Sequence, residues 1–374
     1  MKLYIIAGEA SGDLHGSNLI KALRQQNPDL DIRCWGGDMM EGAGAKLVKH
    51  YRDLAFMGFA EVIMNLRTIL RNISFCKKDI EAFQPDALIL IDYPGFNMRI
   101  AEWAKKKGIR VFYYISPQIW AWKEGRVHKI KRDVSRMFVV LPFEKDFYAK
   151  HGMDVSFVGH PLLDVITKRE SHPDVFRREN ALSDKPLIAL LPGSRKQEIT
   201  AMLPVMLSVQ SHYPEYQFVV AGAPGQDISF YRSFEQLKDT PILFGKTYDL
   251  LQYASAGLVT SGTATLEAGL FQLPQVVCYK GNSISYHIAK RLVKIKYISL
   301  VNLILDEEAV CELIQDEMNE RRVRQELDAL LYDADRRSKM TMDYSRLHER
   351  LGGSGASERT ATAMLKILSG SSAD

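Results

Sequence analysis

Five short segments of the sequence hold residue types that could bind or activate a substrate, and each follows an apolar run. Gly8–Gly16 (GEASGDLHG) spaces three glycines evenly among Glu9, Ser11, Asp13 and His15. Such glycines let backbone approach a ligand closely, and Ser11 or Asp13 could cap a helix that follows. The string also reads as a plain strand–turn–helix connection. Ile91–Asn97 (IDYPGFN) sets Asp92 just past the run DALIL. A carboxylate there could act as general base on a hydroxyl, or simply start a turn. Ile115–Trp122 (ISPQIWAW) offers Gln118 and Trp120 as walls of a sugar or acyl pocket, or as core packing. Leu190–Arg195 (LLPGSR) ends a strand in Gly193, Ser194 and Arg195 before a helix. Turn amides, a helix N-terminus and a guanidinium together suit a diphosphate. Thr260–Glu267 (TSGTATLE) opens another helix with Ser261, Gly262 and Thr263, and their amides offer a second phosphate contact. Glu267, further along that helix, could accept ribose hydroxyls or be a solvated or capping carboxylate.

What positions these segments is a repeated alternation of buried strands and helices. LYIIAG, DIRCWGG, DALILID, IRVFYYIS, RMFVVLP and VSFVGHP read as strands of a first domain, and PLIALLPG, QFVVAGAP, PILFGK, AGLVTSG and PQVVCYK as strands of a second. Continuous apolar strands separated by helices predict parallel sheets covered on both faces, so the expected class is α/β, with two Rossmann-like doubly wound domains facing a cleft. The expected domains are 1–165 and 186–345. The polar stretch between them serves as linker, and a final helix over 346–374 packs back on the first domain or on a partner subunit. The region after about residue 305 reads as helical, with no strand pattern.

Absences narrow the chemistry. Neither GxGxxG nor GxxxxGK[ST] occurs, which disfavours dinucleotide and P-loop sites. The D-x-D triplets, Asp29–Asp31 and Asp333–Asp335, close no strand, and Cys34, Cys76, Cys278 and Cys311 form no CxxC pair. No metal, no cofactor and no disulfide framework are therefore expected. The net charge of +4 is too small for a nucleic-acid binder, so no nucleic-acid partner is expected. The cationic runs Lys123–Arg136 and Lys290–Lys296 could meet substrate phosphates or anionic headgroups, or be solvated helix faces. No stretch approaches the roughly 18 apolar residues of a membrane span. The opening residues read as a buried strand, so a cytoplasmic location is expected.

Taken in order, the segments resemble the lipid-A-disaccharide synthase family. The matching strings are GEASGDLHG (8–16), MGFAEV (57–62), DYPGFN (92–97), SPQIWAWKEGRVHKIK (116–131), LPFE (141–144), FVGHPLLD (157–164), LLPGSRKQEI (190–199), SGTATLE (261–267) and YISLVNLI (297–304). The resemblance implies a GT-B fold and inverting transfer of 2,3-diacylglucosamine from UDP to 2,3-diacylglucosamine 1-phosphate (lipid X), giving lipid A disaccharide 1-phosphate and UDP. It implies Asp92 as base, Arg195 on the diphosphate and Glu267 on the ribose, with Asn302 and Gln315 as further polar contacts. Gly95 stands where some relatives carry a second aspartate, and Val301 where proline is common. An amphipathic stretch bearing Met57, Phe59, Ile63, Leu66 and Leu70, with Arg67 and Arg71 beside it, would rest on the inner face of the inner membrane or grip acyl chains; it could also pack on the core. The state is a monomer or homodimer. The rival reading is another GT-B enzyme acting on UDP-GlcNAc, MurG-like or 2-epimerase-like.

Overall fold

The computed structural model describes residues 1–54, 66–122, 124–166, 172–281 and 296–370. Two compact units divide the chain: Met1–Thr167 with Leu351–Asp374, and Lys168–Arg350.

The first unit is built on a seven-stranded parallel sheet ordered β3-β2-β1-β4-β5-β6-β7. Its strands are β1 (Lys2–Ala7), β2 (Asp31–Gly36), β3 (Lys46–His50), β4 (Ala87–Ile91), β5 (Arg110–Tyr114), β6 (Arg136–Val139) and β7 (Ser156–Phe157). The central strands are continuous apolar runs because helices cover both faces. Leu3–Ala7 and Ala87–Ile91 are wholly buried. The helix Leu66–Phe83 contributes Ile73, Cys76, Ile80 and Phe83 to one face of this core, against Tyr4, Trp35 and Leu88.

The second unit holds a six-stranded parallel sheet ordered β10-β9-β8-β11-β12-β13. Its strands are β8 (Leu187–Leu191), β9 (Gln217–Gly222), β10 (Ile242–Phe244), β11 (Ala254–Thr260), β12 (Gln275–Tyr279) and β13 (Glu312–Ile314). The helix Pro173–Glu179 belongs to this unit, since Phe176 packs with Leu187, Val219 and Leu250.

Two strands escape the sequence reading, and both lie at sheet edges. β3 is half-exposed and rich in lysine and histidine, so it shows no apolar run. β13 has three residues and lies in the region expected to lack strands; it joins the sheet through Glu312, Leu313 and Ile314 beside Val277, Cys278 and Tyr279.

The chain returns to the first unit through Leu351, and the helix Ala356–Leu368 packs on the helix Ala10–Gln26. Asp164, 8% exposed, caps its start by accepting the amides of Ala356 (3.2 Å) and Ser357 (2.9 Å). Arg359 Nε donates to the Val158 carbonyl at 2.9 Å. Among the described residues, no helix is long and apolar enough to cross a membrane.

Candidate active site

In a doubly wound sheet, ligands bind beyond the carboxyl ends of the strands where the strand order reverses. The first sheet reverses between β1 and β4, the second between β8 and β11. The connections leaving those strands are Gly8–Gly16, Ile91–Asn97, Pro192–Arg195 and Ser261–Thr263. Four of the five sequence segments thus lie at switch points. The fifth, after β5, lies beside β4.

Asp92 directly follows β4 and adopts a left-handed backbone (φ 44°), as does Tyr93 (φ 48°). Such conformations cost a non-glycine residue on the order of 1–3 kcal/mol and persist only where the surroundings enforce them. Here the enforcing groups are visible. The Tyr113 hydroxyl donates to the Asp92 carbonyl at 2.6 Å, and Asn97 Nδ2 donates to the same carbonyl at 2.7 Å and to that of Ile91 at 3.2 Å. Both side chains are fully buried. Tyr93 lies so close over Gly8 that a Cβ there would sit 2.3 Å from its ring, so only glycine fits. Burial raises the Asp92 carboxyl to about 6, with the nearby Glu9 carboxylate adding to the rise and the Tyr93 amide opposing it. A group of that pKa is ionised at neutral pH yet basic enough to take a proton.

The helix Ala10–Gln26 begins immediately after Glu9, whose side chain makes no cap. Glu9 is half-buried and Ser11 exposed at this end. Asp13 differs from its expected role as a cap of its own helix. The helix starts early enough to put Asp13 inside the first turn, 4% exposed, where it accepts the amides of Gly37 (2.7 Å), Met39 (3.2 Å) and Met40 (3.1 Å). Its carboxylate braces the turn after β2.

In the segment after β5, Ile115 is left-handed (φ 62°), Gln118 is exposed and Trp120 is half-buried, edge-on to Phe143 at 4.8 Å.

The second unit offers cations and amides. Gly193 (φ 116°) makes the turn after β8, and 63% of the Arg195 side chain is exposed. The amides expected to cradle phosphate at this turn already have a partner: Glu198 Oε2 accepts from Ser194 N at 3.2 Å and Arg195 N at 3.3 Å, while its Oε1 meets the Arg195 guanidinium at 3.2 Å. A glutamate at the third helical position naturally folds back in this way. The turn after β11 is different. Gly262 (φ 127°) and Thr263 are exposed, and the amides of Thr263 and Ala264 precede the first hydrogen bond of the helix Thr263–Leu270, from Thr265 N to the Gly262 carbonyl at 3.2 Å. Ser261 Oγ donates to the Ile298 carbonyl at 3.0 Å. Glu267 accepts the Tyr248 hydroxyl at 3.1 Å; burial raises its pKa and that hydrogen bond partly opposes the rise.

Asn302 is fully buried, and its amide is used within the fold. Its Oδ1 accepts from Ala309 N (2.9 Å) and Val310 N (3.0 Å); its Nδ2 donates to the Val310 carbonyl and to Glu312 Oε1, both at 2.9 Å. Gln315 (φ 55°) accepts the Gly281 amide at 3.2 Å, and its Nε2 is buried with no partner among the described residues. Met57, Phe59 and Ile63 lie outside the described residues, as does the side chain of Leu66. Leu70 is 54% exposed.

Sequence reasoning assigned no role to Tyr113, Asn97 or Tyr248. Asn97 stood inside a quoted motif, but its signal, an amide one turn after a strand-end aspartate, is weak without the backbone strain it relieves.

Two Rossmann-like units define the two-domain GT-B class. A UDP-GlcNAc 2-epimerase from Neisseria meningitidis bound to UDP-GlcNAc shares the fold with a TM-score of 0.70 at 14% identity, covering 98% of this chain and 100% of that one. The glycotransferase of kitacinnamycin does so at 0.65 and 14%, covering 98% of each. The chain belongs to the lipid-A-disaccharide synthase family: the family model described as Lipid-A-disaccharide synthetase matches residues 3–367. The lipid-A-disaccharide synthase of Syntrophus aciditrophicus is 42% identical over 371 residues, 97% of each chain. That of Coxiella burnetii is 35% identical over 368 residues, 97% of this chain and 98% of the relative.

Proposed function

We propose that the protein transfers 2,3-diacylglucosamine from its UDP carrier to the 6-hydroxyl of 2,3-diacylglucosamine 1-phosphate (lipid X), with inversion, giving a β-1′,6-linked disaccharide 1-phosphate and UDP. Family membership supports the choice of substrates. The observation that carries the mechanism is Asp92: a carboxylate at a switch point, clamped in a strained conformation, with its pKa raised to about 6.

In this reading the Asp92 carboxylate takes the proton of the acceptor hydroxyl as its oxygen attacks the sugar's anomeric carbon, and the bond to the diphosphate breaks. Charge on departing UDP is met by the Arg195 guanidinium and the amides of Gly262, Thr263 and Ala264, since those of Ser194 and Arg195 are held by Glu198. Glu267 accepts the ribose hydroxyls. Glu9, Ser11, Gln118 and Trp120 face the acceptor. These protein groups supply the charge neutralisation without a cofactor.

The acyl chains place both substrates at a lipid surface. Leu70 and Phe75, exposed on the helix Leu66–Phe83 beside Arg67 and Arg71, together with Met57, Phe59, Ile63 and Leu66, would meet the inner face of the inner membrane. Replacing Met57, Phe59 and Ile63 with serine should lower co-sedimentation with anionic vesicles; unchanged binding argues against this surface.

Mass spectrometry of products from UDP-diacylglucosamine and lipid X tests the reaction. The disaccharide 1-phosphate and UDP should appear in equal amounts. An epimerised sugar nucleotide with no disaccharide would contradict the reading.

A further inference from the structure

The cationic run Lys123–Arg136 directly follows the segment that carries Gln118 and Trp120, and the chemistry above leaves it unused. It spans the connection from β5 to β6 and includes the helix Val127–Asp133. Lys123 lies outside the described residues. The cations at the far end of the run are committed. Arg136 Nη1 meets Asp154 at 2.6 Å, Arg132 Nε meets Asp133 at 2.7 Å, and Lys131 Nζ donates to the His151 carbonyl at 3.2 Å. His128 and Lys129 are exposed. Arg126 is half-buried at the near end, where its helical backbone (φ −72°, ψ −16°) leads into the helix.

The register of that helix sets Arg126 beside the Asp92 turn. The helices Pro94–Lys106 and Val127–Asp133 pack together. Each leads into a strand of the same parallel sheet, so the two run in the same direction. Val127 and Ile130 share a buried cluster with Phe96, Ile100 and Tyr113. Towards the far ends, Arg132 Nη2 lies 3.8 Å from Glu102 Oε1, which fixes the register. Counting back along both helices by the same number of residues brings Arg126 level with Phe96, in the first turn after Asp92 and Tyr93. The Tyr113 hydroxyl, which holds the Asp92 carbonyl, feels the same guanidinium: burial raises its pKa, and the charge of Arg126 partly opposes the rise.

The chemistry of the acceptor calls for a cation at this place. In 2,3-diacylglucosamine 1-phosphate, C1 bears the phosphate and C5 bears the 6-hydroxymethyl group, and both carbons flank the ring oxygen. A sugar whose 6-hydroxyl meets Asp92 therefore sets its phosphate within one ring of that carboxylate. The planar fork of an arginine grips a phosphate through paired hydrogen bonds.

We propose that Arg126 binds the 1-phosphate of the acceptor, selecting the phosphorylated sugar and turning its 6-hydroxyl towards Asp92. The assignment rests on the reading, given above, of lipid X as the acceptor.

The test compares two acceptors in neutral-detergent micelles: lipid X, and the same diacylglucosamine with a methyl group in place of the 1-phosphate. Arg126→Gln keeps much of the side-chain stem and removes the charge. In the full-length variant, KM for lipid X should rise by roughly 10- to 100-fold, as loss of hydrogen bonds to a charged group gives. KM for UDP-diacylglucosamine and kcat/KM on the methyl glycoside should stay near wild type, so the preference for the phosphorylated acceptor shrinks. Equal loss on both acceptors would mean that Arg126 serves only the fold, and overturns the proposal, as does an unchanged KM for lipid X. Lys129→Ala, one turn along and exposed, should leave the preference intact. An equal shrinkage there would replace the specific contact with diffuse attraction to the cationic run, and also overturns it. If Arg126→Gln does not fold, Arg126→Lys retains the charge but loses the fork. A several-fold smaller preference then supports the contact, and an unchanged one overturns it. Wild-type protein that makes no disaccharide from lipid X defeats the parent reading, and this assignment with it.

Discussion

At the end of β4, Asp92 is half-buried, left-handed, and pinned through its own carbonyl by two fully buried side chains. At the end of β8, Arg195 stands largely in solvent, tied among the described residues to Glu198 one turn along. The two sheets share the same strand order around their switch points, so topology does not explain the contrast. The two tasks do. A general base must be desolvated and aimed before the substrate arrives, and the fold meets the strain with hydrogen bonds. A cation that follows a diphosphate needs reach, and an exposed surface ion pair worth about 0–1 kcal/mol is easily exchanged for a phosphate.

That contrast can be broken from either side. Asp92→Asn should cost the most, about 10³-fold in kcat, with UDP affinity by calorimetry little changed. Equal loss of UDP affinity would remove the distinction between the two ends. Arg195→Ala should lower kcat/KM by about 10²-fold and weaken UDP binding, which Asp92→Asn should not do. Tyr113→Phe removes one of the two side-chain bonds to the Asp92 carbonyl without touching the carboxylate. A loss of roughly tenfold in kcat at constant UDP affinity is expected, and no loss would mean that Asn97 alone suffices. Glu9→Gln should have the smallest effect on kcat: removing a neighbouring negative charge lowers the Asp92 pKa, so the acid limb of the pH–rate profile moves to lower pH.

The strands and the four switch-point segments were legible in the sequence because buried parallel strands leave continuous apolar runs, and because turns that approach a ligand need glycine. β3 and β13 were not, since half-exposed or three-residue edge strands carry little pattern. The directions of side chains were also hidden. Asp13, singled out by its type, accepts backbone amides after β2, and Asn302, implied by the family resemblance, bonds two backbone amides, a carbonyl and Glu312 within the fold. Glu198, to which the sequence analysis assigned no role, holds the very amides expected to bind phosphate. Such commitments depend on where a helix begins to within one residue, which periodicity does not resolve.

The pH dependence of kcat/KM reports the ionisation of the free enzyme's base, and so bears most directly on whether Asp92 fills that role. Activity should rise with pH along a single acid limb centred near 6, because the carboxylate must be ionised to accept a proton and its folded-state pKa is about 6. The residual activity of Asp92→Asn should lack that limb. A wild-type limb near 4, or one that persists unchanged in the variant, would assign the proton transfer to another group.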